Sequence, residues 1–173
     1  EVAYKNAIKR NKKEPLYYSN LANLYICQNR LQEAQDLCFT VVKSGIANHL
    51  TYLLLGKLCI TQGKTNDAIN AFQQSIQLDN KNITAHTYLI NLLLQANQLE
   101  EAKNVLAGII SFYPDELKLK CLTEKIHYKS GNKESAINFI QNILTSNPSD
   151  RSVCLDLGDL CIEMEEYAKA IEV

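Results

Sequence analysis

Apolar residues return along this chain at two spacings, three to four residues locally and 34 residues overall. Alanine marks the longer one: Ala34, Ala68, Ala102, Ala136 and Ala170 recur with no insertion or deletion between them. With this alanine set at position 20 of each repeat, position 7 reads Leu21, Leu55, Leu89, Thr123 and Leu157, and position 8 reads Ala22, Gly56, Ile90, Glu124 and Gly158. Position 11 reads Tyr25, Cys59, Leu93, His127 and Cys161, and position 24 reads Tyr4, Cys38, Phe72, Leu106 and Ile140. Residues three and four apart are neighbours on a helix, so positions 4, 7, 8 and 11 form one apolar face and positions 20, 24, 27 and 28 another. Turn-forming pairs separate them: Asn29-Arg30, Gly63-Lys64, Asn97-Gln98 and Gly131-Asn132. Each repeat is therefore predicted to be a helix, a tight turn and a second helix. Stacked repeats of that kind present a long binding surface in place of a catalytic pocket.

The small residues at positions 8 and 20 let two helix backbones approach, and the larger ones at 7, 11 and 24 fill the space between repeats. The pattern resembles the tetratricopeptide repeat family, whose signature is an aromatic, Leu-Gly, Tyr, Ala, an aromatic, Ala and Pro. Tyr52, Leu55, Gly56, Ala68 and Phe72 carry it best, with Leu157, Gly158, Tyr167 and Ala170 next. The resemblance covers essentially the whole chain. It implies an all-α fold, a right-handed α-solenoid of stacked antiparallel helix pairs.

On that reading 1–173 is a single array. Residues 1–14 are the second helix of a preceding repeat, 15–48, 49–82, 83–116 and 117–150 are full repeats, and 151–173 is an incomplete fifth. The chain opens and stops inside helices, so both ends are expected to be uncapped stacking surfaces of a longer array.

Composition narrows the function classes. No apolar run approaches the roughly 18 residues a membrane span needs. A net charge of −1 gives no general pull toward nucleic acid or an anionic membrane. Charge is nonetheless unevenly placed. Lys5, Lys9, Arg10, Lys12 and Lys13 make the start basic, whereas Asp156, Asp159, Glu163, Glu165, Glu166 and Glu172 make the end acidic. These are solvated faces, or a gradient that orients a charged ligand or aligns neighbouring arrays.

Six cysteines invite a metal or disulfide reading, but none makes a Cys-x-x-Cys pair. Cys38, Cys59 and Cys161 hold signature core positions as small apolar fillers, and Cys154 a packing position. Structural thiols point to a reducing compartment and a cytoplasmic location. His49, His86 and His127 lack a nucleophile or carboxylate at triad or metal spacing. No catalytic residue, metal or cofactor is expected.

The fourth repeat departs from the pattern, with Lys120, Thr123, Glu124 and His127 at positions its neighbours fill with apolar side chains. Burying Lys120 and Glu124 unpaired would cost several kcal/mol. A one-residue slip would instead bring Leu119, Leu122, Thr123 and Ile126 to the packing positions. The loop after Pro114 would gain a residue and the turn before Gly131 would lose one.

In the family that the chain resembles, the first helices line a concave groove with positions 2, 5, 9, 12 and 13. Carried over, this names Asn23, Leu53, Lys57, Thr87, Asn91, Gln95, Cys121, Lys125, Lys129 and Asp159 as partner-binding residues. Asparagine donates and accepts at once and grips an extended peptide backbone. The lysines suit carboxylates or phosphates, and Leu53 a small apolar side chain. A handful of hydrogen bonds netting about 1 kcal/mol each gives affinity around micromolar. Two sub-types fail residue by residue. The chaperone-tail clamp matches only at Asn23. The asparagine ladder of the O-linked sugar transferases would need asparagine where Asn20, Leu54, Tyr88, Leu122 and Asp156 stand.

The expected function is a non-catalytic protein-protein interaction scaffold that binds a peptide or partner helix in the groove. The alternative is an architectural segment that self-associates through its uncapped ends. An RNA-binding array of the pentatricopeptide type would repeat at 35 residues and carry a basic excess, so no nucleic-acid or membrane partner is expected.

Overall fold

The structure, a computed structural model, describes residues 1–146 together with Gly158, Cys161 and Ile162. Among the described residues there are nine helices and no strand: α1 Val2–Arg10, α2 Pro15–Cys27, α3 Leu31–Lys43, α4 His49–Thr61, α5 Thr65–Leu78, α6 Ile83–Gln95, α7 Leu99–Ile110, α8 Leu117–Lys129 and α9 Lys133–Ser146. Ala170, Cys154, Asp159, the acidic final stretch and most of the fifth repeat lie outside the described residues. The chain falls into two compact units, Glu1–Leu92 and Leu93–Val173.

Local sequence explains where the helices begin. Pro15 opens α2, where its missing N–H costs nothing, and the Glu14 side chain accepts from the Leu16 N–H at 3.3 Å. At α4 the Asn48 side chain accepts from the Thr51 N–H, while the Thr51 hydroxyl accepts from the Asn48 N–H, a reciprocal capping box. The first helices all end alike. Asn29, Gly63, Asn97 and Gly131 turn left-handed, at φ of 59°, 70°, 58° and 95°. The N–H of the following residue then reaches back to a carbonyl in the last turn: Arg30 to Tyr25, Lys64 to Cys59, Gln98 to Leu93 and Asn132 to His127, at 2.8–2.9 Å. This Schellman closure uses Gly or Asn because their side chains tolerate positive φ.

In the first unit, α2 packs on α3, α3 on α4, and α4 on α5. Leu21, Ala22, Tyr25, Ala34, Cys38, Leu54, Leu55 and Leu58 form one core cluster. Ala34 and Ala68 are 0% exposed, as are Ala102 and Ala136 of the second unit, so the repeating alanine is where helices meet most closely. Arg30 closes the outer edge of the first unit. Its guanidinium lies 4.2 Å from the centre of the Tyr25 ring and bonds Glu1 at 2.7 Å and Glu33 at 2.6 Å.

In the second unit α8 packs against α7 and α9, and here one expectation is corrected. Leu119, Leu122 and Ile126 are buried, and Lys120 stays out beside Asp115 at 3.2 Å. But no residue has slipped between loops. α8 starts at Leu117, as α2, α4 and α6 start at Pro15, His49 and Ile83, and Gly131 keeps the turn position of Asn29, Gly63 and Asn97. The corresponding residues of α4, Thr51, Leu54 and Leu58, are buried as well, so this face goes inward without any shift. The slip is unnecessary because Glu124 is not left unpaired. Its carboxylate accepts from the Ser135 hydroxyl at 2.7 Å and lies 3.2 Å from His127 Nδ1.

Candidate ligand groove

Two neighbouring first helices, α2 and α4, enclose a depression of about 190 Å³. Ser19, Asn20 and Asn23 of α2 line one side, and Leu50, Leu53 and Lys57 of α4 the other. Three residues named from the sequence, Asn23, Leu53 and Lys57, thus meet in one place. Asn23 is exposed, Lys57 half-buried, and Leu53 only 7% exposed, forming an apolar wall. Leu50, at groove position 2, and Asn20, at a position not expected to line the groove, complete the depression. They flank the chosen positions on the same helices, which is the signal that was available.

The polar side of this seam is tied down from within. Ser19 and Thr51, 4% and 1% exposed, approach to 3.4 Å, and Asn48 Oδ1 accepts from both hydroxyls at 3.3 and 3.0 Å. Buried hydroxyls are tolerated only when bonded in this way, and the bonds lock α4 against α2.

Lys57 has a different support. Its Nζ stands 5.3 Å from the centre of the Tyr88 ring on α6. That ring stacks on Phe72 of α5, with centroids 5.2 Å apart and planes 5° from parallel. Phe72 is 0% exposed. Sequence reasoning missed Tyr88 because the partner of a ring is set by packing, not by spacing.

The other named residues are distributed less simply. Thr87 is 8% exposed and donates to the Ile83 carbonyl at 2.9 Å, so its hydroxyl serves its own helix. Asn91 and Lys125 are half-buried, and Gln95 and Lys129 exposed. Asp159 lies outside the described residues. Cys121 is corrected: it is 4% exposed and packs with Ala136, Ile140 and Cys161 in the core of the second unit. Position 5 is buried in each of the four repeats, as Ser19, Leu53, Thr87 and Cys121, because it faces the seam between helices rather than open solvent.

A second cavity, about 420 Å³, is lined by residues of α3, α4 and α5, with Phe39, Val42, Tyr52, Leu55 and Ala71 among the apolar ones and Lys64 and Asp67 the charged ones. It was not anticipated, although Phe39 is an aromatic at a position held by Gln73, Ala107 and Gln141 in the following repeats.

The chemistry of the thiols fits a packing role. Burial pushes the Cys38 thiol up to about 12, and burial with nearby Asp67 raises Cys59, so neither supplies a thiolate near neutral pH. Among the described residues no three His, Cys, Asp or Glu side chains gather in a metal-holding cluster. No helix of the described residues is long and apolar enough to cross a membrane.

Comparison with known proteins agrees with this architecture. Residues 60–124 match the tetratricopeptide repeat family model. The 131 kDa subunit of transcription factor tau from Saccharomyces cerevisiae is 24% identical over 152 residues, 88% of this chain and 15% of the subunit. The chain thus spans under a sixth of that relative. Among solved structures, YrrB, a TPR protein with an unusual peptide-binding site, superposes with a TM-score of 0.71 at 18% identity, covering 98% of this chain and 88% of its own. The APC/C hetero-tetramer Cut9-Hcn1 gives 0.74 at 15% identity, over 98% of this chain and 34% of its own. At such identities the likeness is one of fold.

Proposed function

We propose that this chain, which is built of tetratricopeptide repeats, is a non-catalytic interaction scaffold that holds an extended peptide in the groove between α2 and α4. The observation that carries the reading is the convergence of Asn23, Leu53 and Lys57 on one depression, joined by Asn20. Two carboxamides able to donate and accept face an apolar wall, and an extended backbone offers N–H, C=O and alternate side chains at that scale. The wall is pre-formed by the Ser19–Asn48–Thr51 bonds, so little ordering cost falls on the ligand. Buried, protonated thiols at Cys38 and Cys59 suit a reducing, cytoplasmic setting.

The test is selection of peptides from a random displayed library on the intact chain, followed by calorimetry. Asn20→Ala with Asn23→Ala should weaken the selected peptides roughly thirtyfold, since two hydrogen bonds netting about 1 kcal/mol each are lost. Urea unfolding should be unchanged. Binding that ignores both substitutions removes the groove assignment.

A second reading has its own support. The relative from yeast is one subunit of a transcription factor, and Cut9 stands in a hetero-tetramer, so an architectural role within a larger assembly follows by analogy. Light scattering of the isolated chain at rising concentration tests its self-associating form, which predicts a growing mass.

A further inference from the structure

We propose that the cavity lined by α3, α4 and α5 is a second binding site, for a small uncharged molecule with an aromatic body. It is separate from the α2–α4 depression. Helix α4 gives Leu50, Leu53 and Lys57 to that depression, and Tyr52, Leu55 and Cys59 to the cavity. The flanking helices also contribute side chains three or four residues apart, Gln35, Phe39 and Val42 from α3 and Asp67, Ala71 and Gln74 from α5. One stripe of each helix therefore faces the same space.

The sequence explains why space opens at this repeat. Cys59 stands where the other full repeats carry Tyr25, Leu93 and His127, and Ala71 where they carry Leu37, Val105 and Phe139. Two small side chains thus coincide, and about 420 Å³ that larger ones would occupy stays open. A third difference adds a wall. Phe39 stands where the following repeats carry Gln73, Ala107 and Gln141, and it is 44% exposed.

A volume of this size, with apolar and aromatic walls and few polar groups, is that of a small-molecule pocket. Phe39 and Tyr52 offer ring contacts to a flat aromatic body. The polar lining sets the rest of the ligand. Gln35 is already engaged, accepting from Gln62 Nε2 at 2.9 Å. The carboxamides of Asn70 and Gln74 make no side-chain hydrogen bond among the described residues, so they are available to donate and accept. Lys64 and Asp67 supply one charge of each sign, and neither makes an ion pair among the described residues. An anion placed there meets Asp67 as well as Lys64, and a cation meets Lys64 as well as Asp67. Either one also gives up hydration to the apolar walls. An uncharged ligand bearing an amide avoids that cost and still uses Asn70 and Gln74.

The chain contains no tryptophan, so an indole probe excited where tyrosine does not absorb is read without background from the protein. Titration of the uncharged probe N-acetyltryptophanamide with the intact chain should saturate, while tryptamine and indole-3-acetate should bind more weakly. Ala71→Leu and Cys59→Leu fill the cavity with the side chains that Leu37 and Leu93 supply in neighbouring repeats. Both should keep the fold, checked by urea unfolding, and abolish binding. Phe39→Gln changes a half-exposed position to the residue of the next repeat, and should weaken binding about fivefold, the loss of one aromatic contact. No saturable binding to the unsubstituted chain overturns the site. So does undiminished binding in Phe39→Gln or in either folded leucine variant. Tighter binding of either charged probe overturns the uncharged class.

Discussion

The Phe72 ring lies so close to the backbone of Gly56 that a β-carbon at that glycine would stand 2.5 Å from ring atom Cε1. The same ring stacks on Tyr88 and is 0% exposed, so it has little room to retreat. Gly56→Ala gains about 1 kcal/mol of helix propensity but overpacks the core by an amount typically about 1–3 kcal/mol. A net loss of up to about 2 kcal/mol is expected in urea unfolding. Phe72→Leu, itself destabilising, should offset part of that loss in the double variant. Strict additivity of the two changes would show that the contact is not what excludes the methyl group.

Asn48 serves three donors at once, the Thr51 N–H and the hydroxyls of Thr51 and Ser19. Asn48→Ala should cost about 1–2 kcal/mol, a lost cap together with buried hydroxyls left short of a partner. Asn48→Asp, which keeps the acceptor, should cost much less. Equal losses in the two variants, read by thermal or urea unfolding, would mean that the oxygen is not the working atom.

On α8 the contrast between buried and half-covered faces is measurable. Ile126 is 3% exposed, and Ile126→Ala should destabilise by about 2–4 kcal/mol. His127 is half-exposed and touches Glu124, which keeps Ser135 as a partner, so His127→Ala should cost less than about 1 kcal/mol. The reverse ranking in chemical denaturation would contradict the register described here.

His86 is 4% exposed, with Nδ1 at 2.9 Å from the Asn82 carbonyl. Burial lowers its pKa from the usual 6.5, against smaller raising effects of Asn82 and Asp79. The unfolded chain therefore takes up this proton at a higher pH than the folded one. The stability contribution is complete above about pH 6.5 and is lost as pH falls from there toward the lower folded value. His86→Leu should flatten stability against pH in that window. An unchanged slope would assign the dependence to other groups.

The thiols should differ in reactivity. Cys27 is exposed, while Cys38 is 2% exposed with its pKa pushed up to about 12. Brief iodoacetamide treatment near pH 8 should label Cys27 and spare Cys38 until the chain unfolds, as peptide mass spectrometry will show. Equal labelling of the native protein would mean that Cys38 is not enclosed.

Much of this protein was legible in the sequence, because its fold is made by short-range rules applied repeatedly. An apolar residue every three or four positions forces an amphipathic helix, a Gly or Asn at a fixed place ends it, and an invariant alanine marks where helices touch. Those rules act within 34 residues, so the helix pairs, the turns between them and the buried Ala34, Ala68, Ala102 and Ala136 followed from spacing. Asn23, Leu53 and Lys57 line one depression, whereas position 5, Leu53 included, is buried in each described repeat and Cys121 lies in the core. The fourth repeat shows the boundary most clearly. Sequence identified Glu124 as costly to bury, and helical spacing sets His127 beside it, yet only the packing of α9 on α8 supplies Ser135 as its hydroxyl donor and so removes the need for a slip. The same holds for Lys57, whose charge is written in the chain but whose place over Tyr88 is fixed by how α4, α5 and α6 pack. Periodicity determines which residues turn inward; which side chains then meet across helices is decided by tertiary packing, since that depends on distances no spacing along the chain encodes.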